Sequence, residues 1–147
     1  MIHVNANRPR SISRYLVLEV DGGLAEYTDT FQAMRMAVGH GHGETGLEDV
    51  PNFFPVAAYH YVPYENPTQR RMNLVANGIF WELSEPGPDV AEMTRAEPFV
   101  PSDRIVKMRG SVAFCTRTEG GLSDSQVDAI RKAHTRAVDH LQSMGWL

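Results

Sequence analysis

Met72-Asn73-Leu74-Val75-Ala76-Asn77-Gly78-Ile79-Phe80-Trp81-Glu82-Leu83 decides how the middle of this chain is read. Two apolar runs flank Asn77-Gly78, the pair that a type I′ turn prefers because both of its central residues take positive φ. In that register Met72, Leu74, Ala76, Ile79, Trp81 and Leu83 fall on one wholly apolar side. The expectation is a β-hairpin with this side toward the core and Trp81 inside.

The flanking segments extend the pattern. Val56 to Val62 alternates as a strand, with Val56, Ala58, His60 and Val62 on one face and Ala57, Tyr59 and Tyr61 on the other. After the hairpin, Glu85-Pro86-Gly87-Pro88 breaks regular structure, and Val90 to Met93 has room for one helical turn in a surface loop. Ile105 to Thr118 is read as a strand or a bent pair of strands, bulged at Gly110. Val106, Met108, Val112 and Phe114 share one of its sides; Lys107, Arg109, Cys115 and Arg117 share the other.

Toward the N-terminus, residues 1–13 form an irregular arm held extended by Arg8-Pro9-Arg10. Tyr15 to Val20 is a strand, Asp21-Gly22-Gly23 a turn, and Leu24 to Tyr27 a short partner strand. A helix follows over about 30–38, with Asp29 as N-cap, Gln32 completing a capping box and a left-handed Gly39 ending it. Gly41 to Pro51 carries too many glycines for a helix and is expected to be a loop. The second helix covers about 124–144, capped by Ser123 and Gln126, with Leu122 stapled onto Val127. Val127, Ile130, His134, Ala137, Val138, Leu141 and Met144 make its apolar stripe, and Gly145 ends it before the apolar tail Trp146-Leu147. Strands joined by tight turns run antiparallel. The fold class is therefore α+β, a mainly antiparallel sheet of about four to six strands with two principal helices packed on it. Residues 14–147 form a single domain.

Composition bounds the functional classes. The chain has 147 residues, 42% hydrophobic and 22% charged, which are the values of one globular domain. No apolar run approaches a membrane span, and no secretory signal is read at the start. A single cysteine, Cys115, excludes an internal disulfide and a cysteine-zinc cluster, in keeping with a reducing, cytoplasmic setting. The net charge of −4 makes nonspecific nucleic-acid binding unfavourable, because counterion release needs clustered cations. The basic C-terminal third still leaves room for a local anion site.

Three constellations carry chemistry. Gly39-His40-Gly41-His42-Gly43-Glu44-Thr45-Gly46 brings His40, His42 and Glu44 together, with His60 within reach of a nearby strand. Imidazole and carboxylate at alternate positions suit a divalent metal. The same stretch spells G-x-G-x-x-G, but a helix precedes it and none follows, so the dinucleotide context is missing. Lys107, Arg109 and Arg117 form the second constellation, a cationic strip able to hold an anion. Tyr59 and Tyr61, with Trp146 and Leu147, form the third, an aromatic surface for self-association. Cys115 lies within a strand and is expected to be an inert thiol. No P-loop, G-x-S-x-G or H-E-x-x-H pattern occurs.

The sequence therefore points to a small non-enzymatic binding or accessory protein, needing no cofactor, that contacts a partner protein or an anionic small ligand as a homo-oligomer. One alternative is a metal-dependent enzyme, such as a hydrolase, built on His40, His42, Glu44 and His60. Another is a nucleotide-binding or nucleotide-sequestering protein using the arginine-rich strand face.

Overall fold

The computed structural model describes residues 12–39, 41–65, 70–84, 108–118 and 120–147. In chain order these form β1 (Ile12–Leu18), β2 (Leu24–Thr30), α1 (Phe31–Val38), β3 (Gly43–Asp49), β4 (Val56–Pro63), α2 (Leu74–Ser84), β5 (Val112–Thr116) and α3 (Asp124–Ser143). The five strands make one antiparallel sheet in the order β2-β1-β5-β4-β3. The α+β class and both helices expected at 30–38 and 124–144 are present.

The hairpin is not. Residues 74–84 form α2, and Asn77-Gly78 lies in its middle. Eight of its eleven residues are buried, so the segment is enclosed on nearly every side. A helix buried all round loses the 3.6-residue signature, and a period of two then fits it by accident. Asn73 starts the helix, its Oδ1 accepting from Ala76 N at 3.0 Å while its Nδ2 donates to the carbonyls of Leu18 and Gly110. Asn77 turns inward. Its Nδ2 donates to Met108 O at 3.1 Å and its Oδ1 accepts from Met108 N at 3.3 Å, so the amide pairs with 108 as a neighbouring strand would. Trp81 is buried as expected, but on a helix.

Each face of the sheet carries its own core. Leu16 and Leu18 of β1, Val56 and Ala58 of β4, and Val112 and Phe114 of β5 point toward α2 and α3. Phe114 is central, opposite Leu16 on one side and Ala58 on the other. The opposite face presents Tyr15, Val17, Ala113, Tyr59 and Tyr61 to Met34 and Val38 of α1. Alternation along β4 and β5 is as the sequence indicated; what differs is that both faces are covered.

Further differences are local. Gly43–Asp49, expected as a loop, is an edge strand paired along its full length with β4. β4 supplies the partner hydrogen bonds, which offset the glycines' poor strand preference. The N-cap of α1 is Thr30, whose Oγ1 accepts from Ala33 N at 3.1 Å; Asp29 Oδ1 instead takes the Thr30 N–H. Gly39 ends that helix at φ +142°, outside the left-handed helical region. α3 follows expectation, with the Ser123–Gln126 capping box formed in both directions. Of the irregular arm expected over 1–13, Ile12 and Ser13 belong to β1 instead, paired with β2; residues 1–11, His40, Lys107, the loop and helical turn expected over 85–100, and Ile105 and Val106 lie outside the described residues.

Candidate functional site

α1 has eight residues and so is about 12 Å long, whereas five strands span roughly 19 Å. So short a helix cannot roof the whole sheet face. Beside it, a cavity of about 320 Å³ opens between β1, β3, β5 and α1. Its walls are Tyr15 of β1, Phe31 and Met34 of α1, Leu47 of β3, and Cys115 of β5, with Arg117 among its lining residues.

The cavity's polar lining is the hydroxyls of Ser13, Thr30 and Thr116 beside Arg117. Arg117 Nε donates to Asp49 Oδ1 at 2.8 Å, an ion pair whose partners are 45% and 60% exposed and therefore of little strength. Its two Nη groups have no partner among the described residues, which leaves one edge of the guanidinium for a second acceptor. Burial pushes the Cys115 thiol up to about 12, only partly countered by the Arg117 charge. It is neither thiolate nor nucleophile near neutral pH. The Tyr15 phenol is also raised, first by burial and then by the charges of Asp29 and Tyr27, so it stays neutral too.

Of the expected cationic strip, only Arg117 is at this cavity. Lys107 lies outside the described residues. Arg109 lies beyond the other end of β5, separated from Arg117 by Gly110, Ser111 and the strand's five residues, which alone span roughly 17 Å. It donates through Nη1 to the Arg70 carbonyl at 3.1 Å. The cations of α3 are largely answered: Arg131 by Glu26, Arg136 by Glu82 and Lys132 by Asp128. The strip therefore does not form one surface among the described residues.

The aromatic surface is also rearranged. Tyr59 and Tyr61 are 4% and 6% exposed beneath α1, so they offer nothing to a partner. Phe31 meets the Tyr59 ring edge-on at 5.7 Å, and Arg70 lies over Tyr61 at 5.6 Å. The exposed aromatics of that face stand one layer out, at Phe31 and at Tyr27, which stacks on Tyr15. Trp146 and Leu147 are exposed at the far end of α3.

The histidine constellation does not close into a metal site among the described residues. His42 and Glu44 are exposed, whereas His60 is buried opposite Gly46 and reaches Glu48 instead, Nε2 to Oε2 at 3.2 Å. A β-carbon at Gly46 would collide with that nitrogen, so glycine is what lets the imidazole cross the strand. His60 Nδ1 is buried without a partner. Among the described residues no three histidine, cysteine or acidic side chains converge as a metal site.

The cavity's lining comes from β1, β3, β5 and α1, far apart in sequence, and of it the alternation of the last strand singled out only Cys115 and Arg117. Tyr15, Met34 and Leu47 carry no local signal beyond being apolar. The chain matches no protein-family model, no curated protein and no solved structure.

Proposed function

We propose that this is a non-enzymatic binding protein whose cavity beside α1 takes a small amphipathic anion. The apolar body lies between Tyr15, Met34 and Leu47, and the carboxylate or similar oxyanion meets the free edge of Arg117. The observation carrying this reading is the coincidence of an apolar cavity with a guanidinium whose Nη groups have no partner. Small-molecule sites share that make-up, mostly apolar walls with a few placed polar groups, at volumes from about 300 Å³ upward. A thiol held protonated at the site suits capture rather than covalent chemistry. A reducing, cytoplasmic location belongs to the same proposal.

Calorimetric titration with linear carboxylates of increasing length tests it. Affinity should rise about fourfold per methylene until the cavity is full, following about 0.8 kcal/mol per buried CH₂. Arg117→Gln should weaken binding about tenfold and abolish the preference for a carboxylate over the matching alcohol. Equal binding of the alcohol by the unaltered protein would end this reading.

Self-association is a second reading, favoured by Tyr27 and Phe31, which are 46% and 51% exposed around the same face. Neither the metal-dependent enzyme nor the nucleotide reading gains an assembled site among the described residues.

A further inference from the structure

The C-terminal end of α3 and the β1–β2 turn enclose a second, separate groove of about 570 Å³. Its construction begins with two local motifs. Gly145, at φ +75°, lets its own N–H reach Gln142 O at 3.1 Å while Trp146 N reaches Leu141 O at 2.9 Å. This Schellman ending turns the chain back and fixes Trp146 and Leu147 at the helix end. Across from it the turn closes through Glu19 N to Gly23 O, and Asp21 Oδ1 accepts from Gly23 N at 2.8 Å. His134 ties the two together. Its Nε2 donates to Gly22 O at 2.7 Å, which leaves Nδ1 of the neutral ring as an acceptor. Leu147 completes the closure, since a β-carbon at Gly22 would lie 3.4 Å from its Cδ2.

The groove holds two charges of opposite sign that do not meet. Asp21 comes from the turn and Arg71 from the segment leading into α2. They form no ion pair with each other, and neither has another charged partner among the described residues. Opposite charges lining one groove, yet too far apart to pair, complement a ligand that carries both signs itself. Val138, Trp146 and Leu147 add an apolar wall, and the Gln142 amide is unspent beside them.

We infer that this groove is a binding site for a small zwitterion with an apolar body, an α-amino acid or dipeptide. Its carboxylate sits on Arg71, where a guanidinium can hold it by two parallel hydrogen bonds. Its ammonium sits on Asp21 with His134 Nδ1 as a further acceptor, and its side chain lies against Trp146 and Leu147. The site is independent of the cavity at Arg117.

Trp146 supplies the probe, because Trp81 is buried elsewhere and Trp146→Phe removes the exposed indole signal. Leucine, phenylalanine and their dipeptides are titrated against the full chain while indole fluorescence is followed. N-acetyl and C-amide forms of the same compounds serve as blocked controls. The expected result is saturable change with the free zwitterions and at least about a tenfold loss with either block. Arg71→Gln should remove the carboxylate preference, and Asp21→Asn, which keeps the turn acceptor, the ammonium preference. Arg117→Gln should leave the titration unchanged. The assignment is overturned by no response up to about 10 mM, by equal response to blocked compounds, or by a signal lost in Arg117→Gln and kept in Arg71→Gln. It is equally overturned if the signal follows protein concentration without ligand, which would mean that a second copy fills the groove.

Discussion

Single side chains here matter chiefly through what burial does to them. Cys115 shows this with a definite sign. Its thiol ionises near 12 in the fold, against an ordinary value of 9.0. Between those two values the unfolded chain sheds its proton while the folded chain keeps it, so rising pH favours unfolding. The stability that Cys115 contributes is whole below about pH 9 and is lost toward pH 12. A difference of this size amounts to something on the order of 4 kcal/mol at the alkaline end. Urea unfolding at stepped pH should therefore show a steeper alkaline decline in the unaltered protein than in Cys115→Ala. Parallel curves for the two would disprove the buried thiol. His60 is a contrasting residue. Its pairing with Glu48 is illegible in sequence because it depends on Gly46 standing opposite it across two strands.

At the scale of elements, α2 is the instructive one. Asn77-Gly78 has the chemistry of a turn, and nothing within the segment 72–83 says otherwise. What overrides it is Met108, whose backbone N–H and C=O are both taken by the Asn77 amide. A buried helix that can spend an asparagine on a neighbouring backbone gains more than a turn at the surface would. Replacing Asn77 by leucine leaves the Met108 N–H buried and unpaired, while the Met108 carbonyl keeps the Asn73 N–H at 3.0 Å, a loss of about 1–3 kcal/mol. Chemical denaturation should read this as a lowered midpoint with an unchanged slope. A change under about 0.5 kcal/mol would mean that the amide does not fasten 108 to the helix. α3 needed no such outside help. Ser123, Gln126, the apolar stripe and Gly145 are all local, and each is used as its sequence position suggests.

For the whole molecule, the decisive fact is that both faces of the sheet are covered and one of them only partly. α2 and α3 close one face; α1 is too short to close the other, and the cavity beside Arg117 is the remainder. The same shortfall leaves Tyr27 and Phe31 at the surface, and a symmetric dimer through that face would cover them. Sedimentation at tens of micromolar (about where a weak dimer forms) should give a dimer that Tyr27→Glu dissociates. A monomer at every concentration would refute it. The sequence by itself determined the α+β class, the antiparallel sense of the strands, the side-chain alternation along β4 and β5, and both ends of α3. Those features depend on residues within one or two turns of each other, where propensity, capping and periodicity act directly. Only the tertiary structure decided that 74–84 is a helix, that Gly43–Asp49 is a strand, that Tyr59 and Tyr61 lie inside, and that Arg117 stands apart from Arg109. Each of those follows from hydrogen bonds or burial supplied by a segment distant in the chain, and a local pattern holds no record of what will pack against it.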